Sequence, residues 1–362
     1  MHAVILAGGS GTRLRPLTYS LRKELMPVLG RPLLEYRIEN LRDHGVTDIV
    51  LACSAKVREL QAHFGDGASF GVRLQYSYEE QPLGSGRAVK EAARMAGAEG
   101  TLVVCNGDIL TNIDLTAMLQ AHWKTRATLS MSLARVEDPW HFGVVAIDDD
   151  WRISHFVEKP PQGQQPSDLI NAGTWLWEPE ILDRIPDDDS AIVDQFSERV
   201  LFPGIIADGM RAQGFEEDLW VDVGAPDRYL RANALLLERA AAARGTHVML
   251  DDGASVAPDA TINGMVYVGA GASIKPGARI AGPSVIGERT EIGAGALVEA
   301  SVLWDDVAVG VDAQVRGSII GARVNIGAAA HLRDAVLADR ASVPDGMHLP
   351  TGAKLGPDEV AT

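Results

Sequence analysis

Three glycines and two arginines follow the first apolar run of the chain, in the segment LAGGSGTRLRPLT. Gly8, Gly9 and Gly11 leave room for several backbone N–H groups to converge, and Arg13 and Arg15 bring positive charge to the same loop. This combination suits the phosphates of a polyphosphate ligand. A tight turn with surface arginines is the competing interpretation, and the loop alone does not decide between the two.

Other chemically capable residues carry weaker signals when each is taken alone. Asp108 ends the strand-like run VVCNGD, where a carboxylate suits Mg²⁺, although a turn or helix-capping role fits equally well. Glu158 and Lys159, in FVEKP, read as a solvated charged pair. His331 is the single feature that favours acyl transfer, and we interpret it as a surface histidine because it precedes an inward-facing position.

The motifs taken together resemble one enzyme family. GGSGTRLRPLT, with Lys23 and Pro27-Val28 behind it, is similar to the signature of the sugar-1-phosphate nucleotidylyltransferases, also called NDP-sugar pyrophosphorylases. Motif order and spacing agree with that family from residue 3 to about 240. In the family a proline usually precedes the lysine; here Arg22 stands there, a departure that would alter loop stiffness or add charge near the phosphates.

The resemblance implies a set of site residues. Arg13 and Lys23 are the implied catalytic residues. Asp108 and Asp222 are the implied ligands of Mg²⁺, so these two acids, distant in sequence, must lie close together in the fold. The implied nucleotide-binding residues are Leu6, Ala7, Gly8, Gly9, Gly11, Thr12, Arg13, Glu80, Gln81, Gly84, Ser85, Asn106 and Gly107. The implied residues that bind the sugar phosphate are Gly143, Glu158, Lys159, Asn171, Gly173 and Trp220.

The implied reaction joins an NTP and a sugar 1-phosphate to give an NDP-sugar and pyrophosphate. The combination of NGDILTNIDL, EKP, INAG and a repeat-containing tail looks most like mannose-1-phosphate guanylyltransferases, so GTP and mannose 1-phosphate are favoured. Glucose-1-phosphate thymidylyl or uridylyl transfer and cyclitol- or heptose-1-phosphate guanylyl transfer stay open, because Ser85-Gly86-Arg87 stands where the group commonly has Thr-Ala-Gly. A metal-dependent glycosyltransferase and a non-catalytic regulatory subunit are the alternatives of another class.

The elements that must position these residues fall into two halves. Short apolar runs alternate with helical patterns up to a long helix that ends at Gly245, which predicts a doubly wound, mostly parallel α/β sheet, Rossmann-like and GT-A-like. Beyond it, aliphatic residues recur at every sixth position from Leu250 to Val343, with three slips of one residue. This hexapeptide repeat predicts a left-handed β-helix. We expect domains at 1–244 and 245–362.

Composition limits the partners of the protein. The 33 basic and 49 acidic residues give a formal charge of −16, which argues against nucleic acid and against anionic lipid as partners. No run approaches the length of a membrane span, and no secretory leader is visible. Cys53 and Cys105 read as reduced core thiols of a cytoplasmic protein. We expect a homo-oligomer, assembled through the β-helix, since stacked repeats leave their end coils uncovered.

Overall fold

The computed structural model describes residues 1–53, 57–79, 83–193 and 195–362. These residues form two compact units, each built from two stretches of chain. The first unit comprises Met1–Gly9 and Leu34–Trp220, and the second comprises Ser10–Leu33 and Val221–Thr362. None of the helices in the described part of the chain is long and apolar enough to cross a lipid bilayer.

Among the described residues, thirteen strands and seven α-helices precede the repeats. The strands are β1 (His2–Ala7), β2 (Pro27–Val28), β3 (Arg31–Pro32), β4 (Asp48–Cys53), β5 (Arg73–Tyr78), β6 (Leu102–Asn106), β7 (Ile109–Thr111), β8 (Leu129–Arg135), β9 (Gly143–Ile147), β10 (Ile153–Glu158), β11 (Leu169–Trp177), β12 (Ala212–Glu216) and β13 (Trp220–Asp222). The helices are α1 (Leu33–Asp43), α2 (Val57–Phe64), α3 (Gly84–Ala96), α4 (Leu115–Thr125), α5 (Pro179–Asp183), α6 (Phe202–Ala207) and α7 (Pro226–Arg244).

The first unit is built on one large sheet with the main order β10-β9-β11-β6-β1-β4-β5. Strands β6, β1, β4 and β5 run parallel, which confirms the doubly wound α/β prediction. Strand β11 is antiparallel to its neighbours β6, β8 and β9 and extends the sheet beyond the parallel part. Ala3, Val4, Ile5 and Ala7 of β1 are fully buried, as expected of a strand covered on both faces. Both cysteines are buried, and neither forms a disulfide.

In the second unit, α7 ends where the sequence predicts the end of the long helix. Pro226 occupies its first turn, where a missing N–H costs nothing, and Gly245 ends it in the left-handed conformation with φ of +67°. Strands β2 and β3 form a small hairpin whose turn residues, Leu29 and Gly30, both have positive φ.

The repeats form three stacks of short parallel strands, which confirms the predicted β-helix. The first stack contains Val248–Leu250, Val266–Val268, Ser284–Ile286, Val302–Leu303, Ile319–Ile320, Val336–Leu337 and Lys354–Leu355. The second contains Ser255–Val256, Ser273–Ile274, Glu291–Ile292, Ala308–Val309, Asn325–Ile326 and Ser342–Val343. The third contains Thr261–Asn263, Arg279–Ala281, Leu297–Glu299, Gln314–Arg316 and His331–Arg333.

Coil length explains the slips in the sequence period. Ile274 pairs with Ile292, 18 positions later, whereas Ile292 pairs with Val309, 17 positions later, so one side of the later coils has five residues. The repeated aliphatic positions are buried from Val268 onward. Leu250 differs, with 50% exposure, because it belongs to the first coil of the stack, on which no further coil lies.

Candidate functional site

The first part of the glycine-rich segment lies where parallel strands end. Leu6 and Ala7 are the last residues of β1, and Leu6 pairs with Asn106, the last residue of β6. The N–H of Gly107 donates to the carbonyl of Leu6 at 3.0 Å. A Cβ at Gly107 would lie 3.1 Å from that carbonyl oxygen, so the close approach favours glycine. Ligands in open α/β sheets bind beyond such carboxyl strand ends.

A second group of predicted residues meets on the antiparallel strand β11. The Asn171 side-chain oxygen accepts a hydrogen bond from the N–H of Gly173 at 3.1 Å. Gly173 has φ of +77°, and a Cβ there would lie 2.8 Å from the side-chain nitrogen of Asn106. Trp220 donates its indole N–H to the carbonyl of Ala172 at 3.0 Å. Within the first unit, predicted nucleotide-binding and sugar-phosphate-binding residues are therefore neighbours.

Glu158 and Lys159 form an ion pair beside Gly143. The Lys159 Nζ lies 3.0 Å from the Glu158 Oε1, and Glu158 has only 9% of its side chain exposed whereas Lys159 has 47%. Gly143 pairs with Glu158 across the β9–β10 ladder, and a Cβ at Gly143 would lie 2.8 Å from the Glu158 Oε2. The glycine thus leaves room for a buried acid, while the half-exposed lysine also donates a hydrogen bond to the Gln195 side-chain oxygen at 3.1 Å.

Glu198 was not singled out from the sequence, yet the charges of Glu158 and Lys159 both act on its carboxyl group. It lies in a π-helical turn, Ser197–Leu201, and its carboxylate accepts a hydrogen bond from the Ser85 hydroxyl at 3.1 Å. The N–H of Ser197 donates to the same Ser85 oxygen at 3.0 Å. Burial raises the Glu198 pKa to about 7, and the negative charge of Glu158 adds to the rise. Such π turns are frequent at functional sites, but the sequence SERVL reads as an ordinary helical segment.

The raised pKa of Glu198 predicts a pH-dependent stability. Its folded pKa lies above its ordinary value of 4.5, so the folded protein holds the proton longer and loses stability as pH rises through about 7. Glu198→Gln removes the ionisable group. We expect the change that it causes in the free energy of unfolding to be more favourable at pH 8 than at pH 4, by on the order of 1–3 kcal/mol. Urea unfolding at both pH values measures this. Equal effects at the two pH values would contradict it, and exposed Glu137→Gln is the control.

The start of α3 packs closely against the chain before the π turn. A Cβ on Gly84 would collide with the carbonyl of Val193, and one on Gly86 would lie 2.5 Å from the Phe196 ring. These contacts account for glycine at both positions and bring Ser85 to Glu198. Glu80 and Gln81, the predicted residues of the nucleobase loop, lie outside the described residues.

In the second unit, Arg13 and Asp222 lie side by side. The Arg13 Nη2 is 3.7 Å from the Asp222 Oδ2, and the Arg228 Nη1 is 2.5 Å from the same oxygen. Arg13 is 65% exposed, whereas Asp222 is only 13% exposed. A Cβ at Gly224 would lie 2.7 Å from both the Arg13 Nη2 and the Asp222 Oδ1, so glycine permits this approach.

The later part of the glycine-rich segment, from Ser10 onward, lies in the same unit. Gly11 has φ of +60° and precedes the 3₁₀ turn Thr12–Leu14, and its carbonyl accepts from the Thr18 hydroxyl at 2.8 Å. Lys23 begins a further 3₁₀ turn, Lys23–Leu25.

Arg22 replaces the proline usual in the resembled family, and its charge is neutralised internally. The Arg22 Nε donates to the Glu24 Oε2 at 3.1 Å, and both side chains are buried. Burial raises the Glu24 pKa, while the charges of Lys23 and Arg22 counteract that rise. The buried Arg22–Glu24 pair therefore fixes the turn that presents Lys23.

Two carboxylates make a donor set that suits Mg²⁺, which takes one or two carboxylates and completes its shell with phosphate and water oxygens. Asp108 follows β6 in the first unit, and Asp222 ends β13 in the second. No group of three or more His, Cys, Asp or Glu side chains gathers as a metal site among the described residues. Two carboxylates are consistent with a cation whose coordination shell is completed by phosphate oxygens of a substrate. The convergence of the two acids stays a prediction.

The histidine weighed for acyl transfer packs in the third stack of the β-helix. The ring of His331 stacks on that of His348, with centroids 4.1 Å apart and planes 10° from parallel.

Comparison with known families and structures gives two consecutive matches. Residues 2–239 match the family "Nucleotidyl transferase", and residues 246–352 match the family "EIF2B subunit epsilon LbH domain". A relative from Mycobacterium tuberculosis, named mannose-1-phosphate guanylyltransferase, is 37% identical over 314 residues, which cover 84% of this chain and 80% of the relative. A UTP–glucose-1-phosphate uridylyltransferase from Synechocystis is 34% identical, covering 66% of this chain and 64% of that protein.

A solved structure supports the same assignment. It is described as a glucose-1-phosphate thymidylyltransferase from Bacillus anthracis in complex with sucrose. It matches with a TM-score of 0.58 and 25% identity, covering 65% of this chain and 95% of that one. The resemblance stated from the motifs is thus confirmed: this chain belongs to the nucleotidyl transferase family and carries a left-handed β-helix after its nucleotidyl transferase region.

Proposed function

We propose that this protein transfers a nucleotidyl group from an NTP to a sugar 1-phosphate, releasing pyrophosphate, with GTP and mannose 1-phosphate as the favoured pair. The observation that carries the proposal is the pairing at Arg13. An exposed guanidinium in a glycine-rich loop lies 3.7 Å from a nearly buried carboxylate, Asp222. This combination of charges suits a polyphosphate substrate that arrives with a cation. The name of the Mycobacterium tuberculosis relative supports the choice of substrates.

The proposed chemistry requires no general base. An oxygen of the sugar phosphate attacks the α-phosphorus of the NTP, a new P–O bond forms, and the bond to the bridging oxygen of pyrophosphate breaks. The second pKa of a phosphate monoester is about 6, so the nucleophile is already ionised at neutral pH. The protein therefore contributes by holding the two substrates in line and by neutralising charge.

Each charged residue has a proposed task in that scheme. Arg13 and the glycine loop hold the β- and γ-phosphates, and Lys23 stabilises charge at the reacting phosphates. Lys159 holds the phosphate of the sugar, with Glu158 on the sugar hydroxyls. Asp108 and Asp222 would hold Mg²⁺, which supplies positive charge to the phosphates when bound.

Removing Glu158 is expected to weaken sugar-phosphate binding selectively. A hydrogen bond to a charged group contributes about 1.5–3 kcal/mol, so Glu158→Ala should raise the KM for the sugar 1-phosphate by roughly 10- to 100-fold. The KM for the NTP should stay within about twofold, and exposed Glu180→Ala serves as the matched control. An unchanged sugar-phosphate KM together with weakened NTP binding would refute the assignment.

The substrate pair is tested directly by measuring pyrophosphate release. Each of GTP, UTP, dTTP, CTP and ATP is combined with mannose, glucose, heptose and cyclitol 1-phosphates. We expect the highest kcat/KM with GTP and mannose 1-phosphate. A preference for UTP or dTTP with glucose 1-phosphate would favour the activity named for the Synechocystis relative and the Bacillus anthracis structure. Release with no pair would favour a non-catalytic regulatory subunit.

We further propose a catalytic domain at 1–244 and a hexapeptide-repeat domain at 245–362, in a cytoplasmic homo-oligomer. Uncovered apolar side chains at the ends of the β-helix support assembly, since Leu250 is 50% and Val360 is 56% exposed. Two buried cysteines that form no disulfide are consistent with a reducing compartment.

A further inference from the structure

A hydrogen-bonded relay inside the second unit joins the β-helix to the segment that contains Lys23. Trp304, a β-helix residue with 4% exposure, donates its indole N–H to the Tyr229 hydroxyl at 2.8 Å. Tyr229 lies on α7, is fully buried, and donates its own hydroxyl hydrogen to the carbonyl of Pro27. A phenol has one hydrogen to donate, so accepting from Trp304 leaves that hydrogen for Pro27.

A second contact from α7 fixes the end of the same segment. The Asn233 side-chain oxygen accepts from the N–H of Leu29 at 2.8 Å, and its amide donates to the carbonyl of Tyr229 at 2.9 Å. Leu29 has φ of +48°, a left-handed conformation that a leucine rarely adopts. Asn233 is itself buried, with 2% exposure, so this turn is held by a side chain that solvent does not compete for.

Resting on the proposed function, in which Lys23 acts on the reacting phosphates, we propose that Trp304, Tyr229 and Asn233 are positioning residues for Lys23. They fix the segment Lys23–Leu29 from the β-helix side. The β-helix then influences catalysis indirectly, because one of its indoles orients the phenol that holds the backbone four residues after the lysine. A small displacement of a charged group at a reacting centre lowers the rate without weakening the binding of the substrates.

The test compares Tyr229→Phe, Trp304→Phe and the double variant in the full chain. We expect Tyr229→Phe to lower kcat by roughly 10-fold, with both KM values within about twofold of wild type. Trp304→Phe should give a smaller loss, since the bond to Pro27 is retained. The double variant should lose no more than Tyr229→Phe alone, because both changes act through one relay.

Two matched controls remove the same kinds of bond elsewhere. Tyr76→Phe removes a phenol that donates to the carbonyl of Gly65 at 2.7 Å, and Trp123→Phe removes an indole that donates to the Thr101 hydroxyl at 3.3 Å. Both residues lie in the first unit, and we expect both variants to retain wild-type kcat.

Hydrogen–deuterium exchange provides a readout that does not depend on activity. Peptides covering residues 23–33 should exchange at least ~10-fold faster in Tyr229→Phe than in wild type. In the two control variants, the exchange rate of these peptides should equal that of the wild type. Three results would each overturn the proposal. They are a wild-type kcat in Tyr229→Phe, unchanged exchange in that variant, and a loss of kcat that is fully explained by unfolding at the assay temperature. If the wild type turned over no substrate pair, the proposed function would fail, and exchange alone would decide whether the relay holds the segment.

Discussion

Arg13→Ala is expected to lower kcat by at least ~10²-fold while the fold stays intact, which is the scale for removing one preorganised charge from a reacting centre. The guanidinium is 65% exposed and 3.7 Å from Asp222, so its loss leaves the core unchanged and removes a cation from the proposed phosphate site. Pyrophosphate release at saturating substrates measures the effect, and thermal unfolding checks the fold.

Arg73→Ala is the matched control for that variant. Arg73 is also an exposed arginine, 66% exposed, and it pairs with an aspartate, Asp48, at the start of β4. The two variants remove the same side chain with nearly the same exposure, so any general effect of losing a surface charge is shared. Near wild-type turnover by Arg13→Ala would show that its assigned role is wrong.

Asp108→Asn is expected to reduce kcat by at least ~10²-fold at saturating substrates. The substitution preserves the size of the side chain and one oxygen but removes the negative charge that a hard divalent cation requires. We also expect a higher Mg²⁺ concentration for half-maximal rate, which a titration of the cation in the pyrophosphate assay measures.

Asp114→Asn is the matched control for Asp108→Asn. Asp114 accepts a hydrogen bond from the N–H of Ala117 at 2.9 Å and caps α4, a task that asparagine performs about equally well. It should leave both kcat and the Mg²⁺ dependence unchanged. An Asp108→Asn variant with the same behaviour as this control would exclude Asp108 from the metal site.

The sequence predicted both halves of the fold because each has a strong period. The βα alternation and the six-residue repeat are local patterns, and the burial of residues such as Val268 and Ile292 follows from them directly. The phase slips even predicted the shorter coils. The burial of Leu250 was not predicted correctly, because the repeat pattern does not distinguish a covered coil from an end coil.

The polar contacts that support the site could not be predicted in the same way. Glu198 meets Ser85 across 113 positions of sequence, and Tyr229 meets Trp304 across 75. Such pairs depend on a π turn and on the packing of α7, neither of which has a periodic signature. Asp222 was found from a motif, yet its partner Arg228 was not, although the two are six residues apart.

The coil lengths of the β-helix determine which insertions and deletions this half of the protein can accept. Ile319 pairs with Val336, 17 positions later, so residues 319–335 amount to one coil. Deleting that stretch would bring Val336 onto Val302 with the ladder register preserved, and Trp304 would keep its place. Insertions and deletions of whole coils are therefore tolerable to the backbone, whereas a change of two or three residues shifts each later aliphatic side chain out of the core. The β-helix can thus vary in length by coil-sized steps after Trp304, while the coils up to Trp304, which support the Lys23 segment, stay constant.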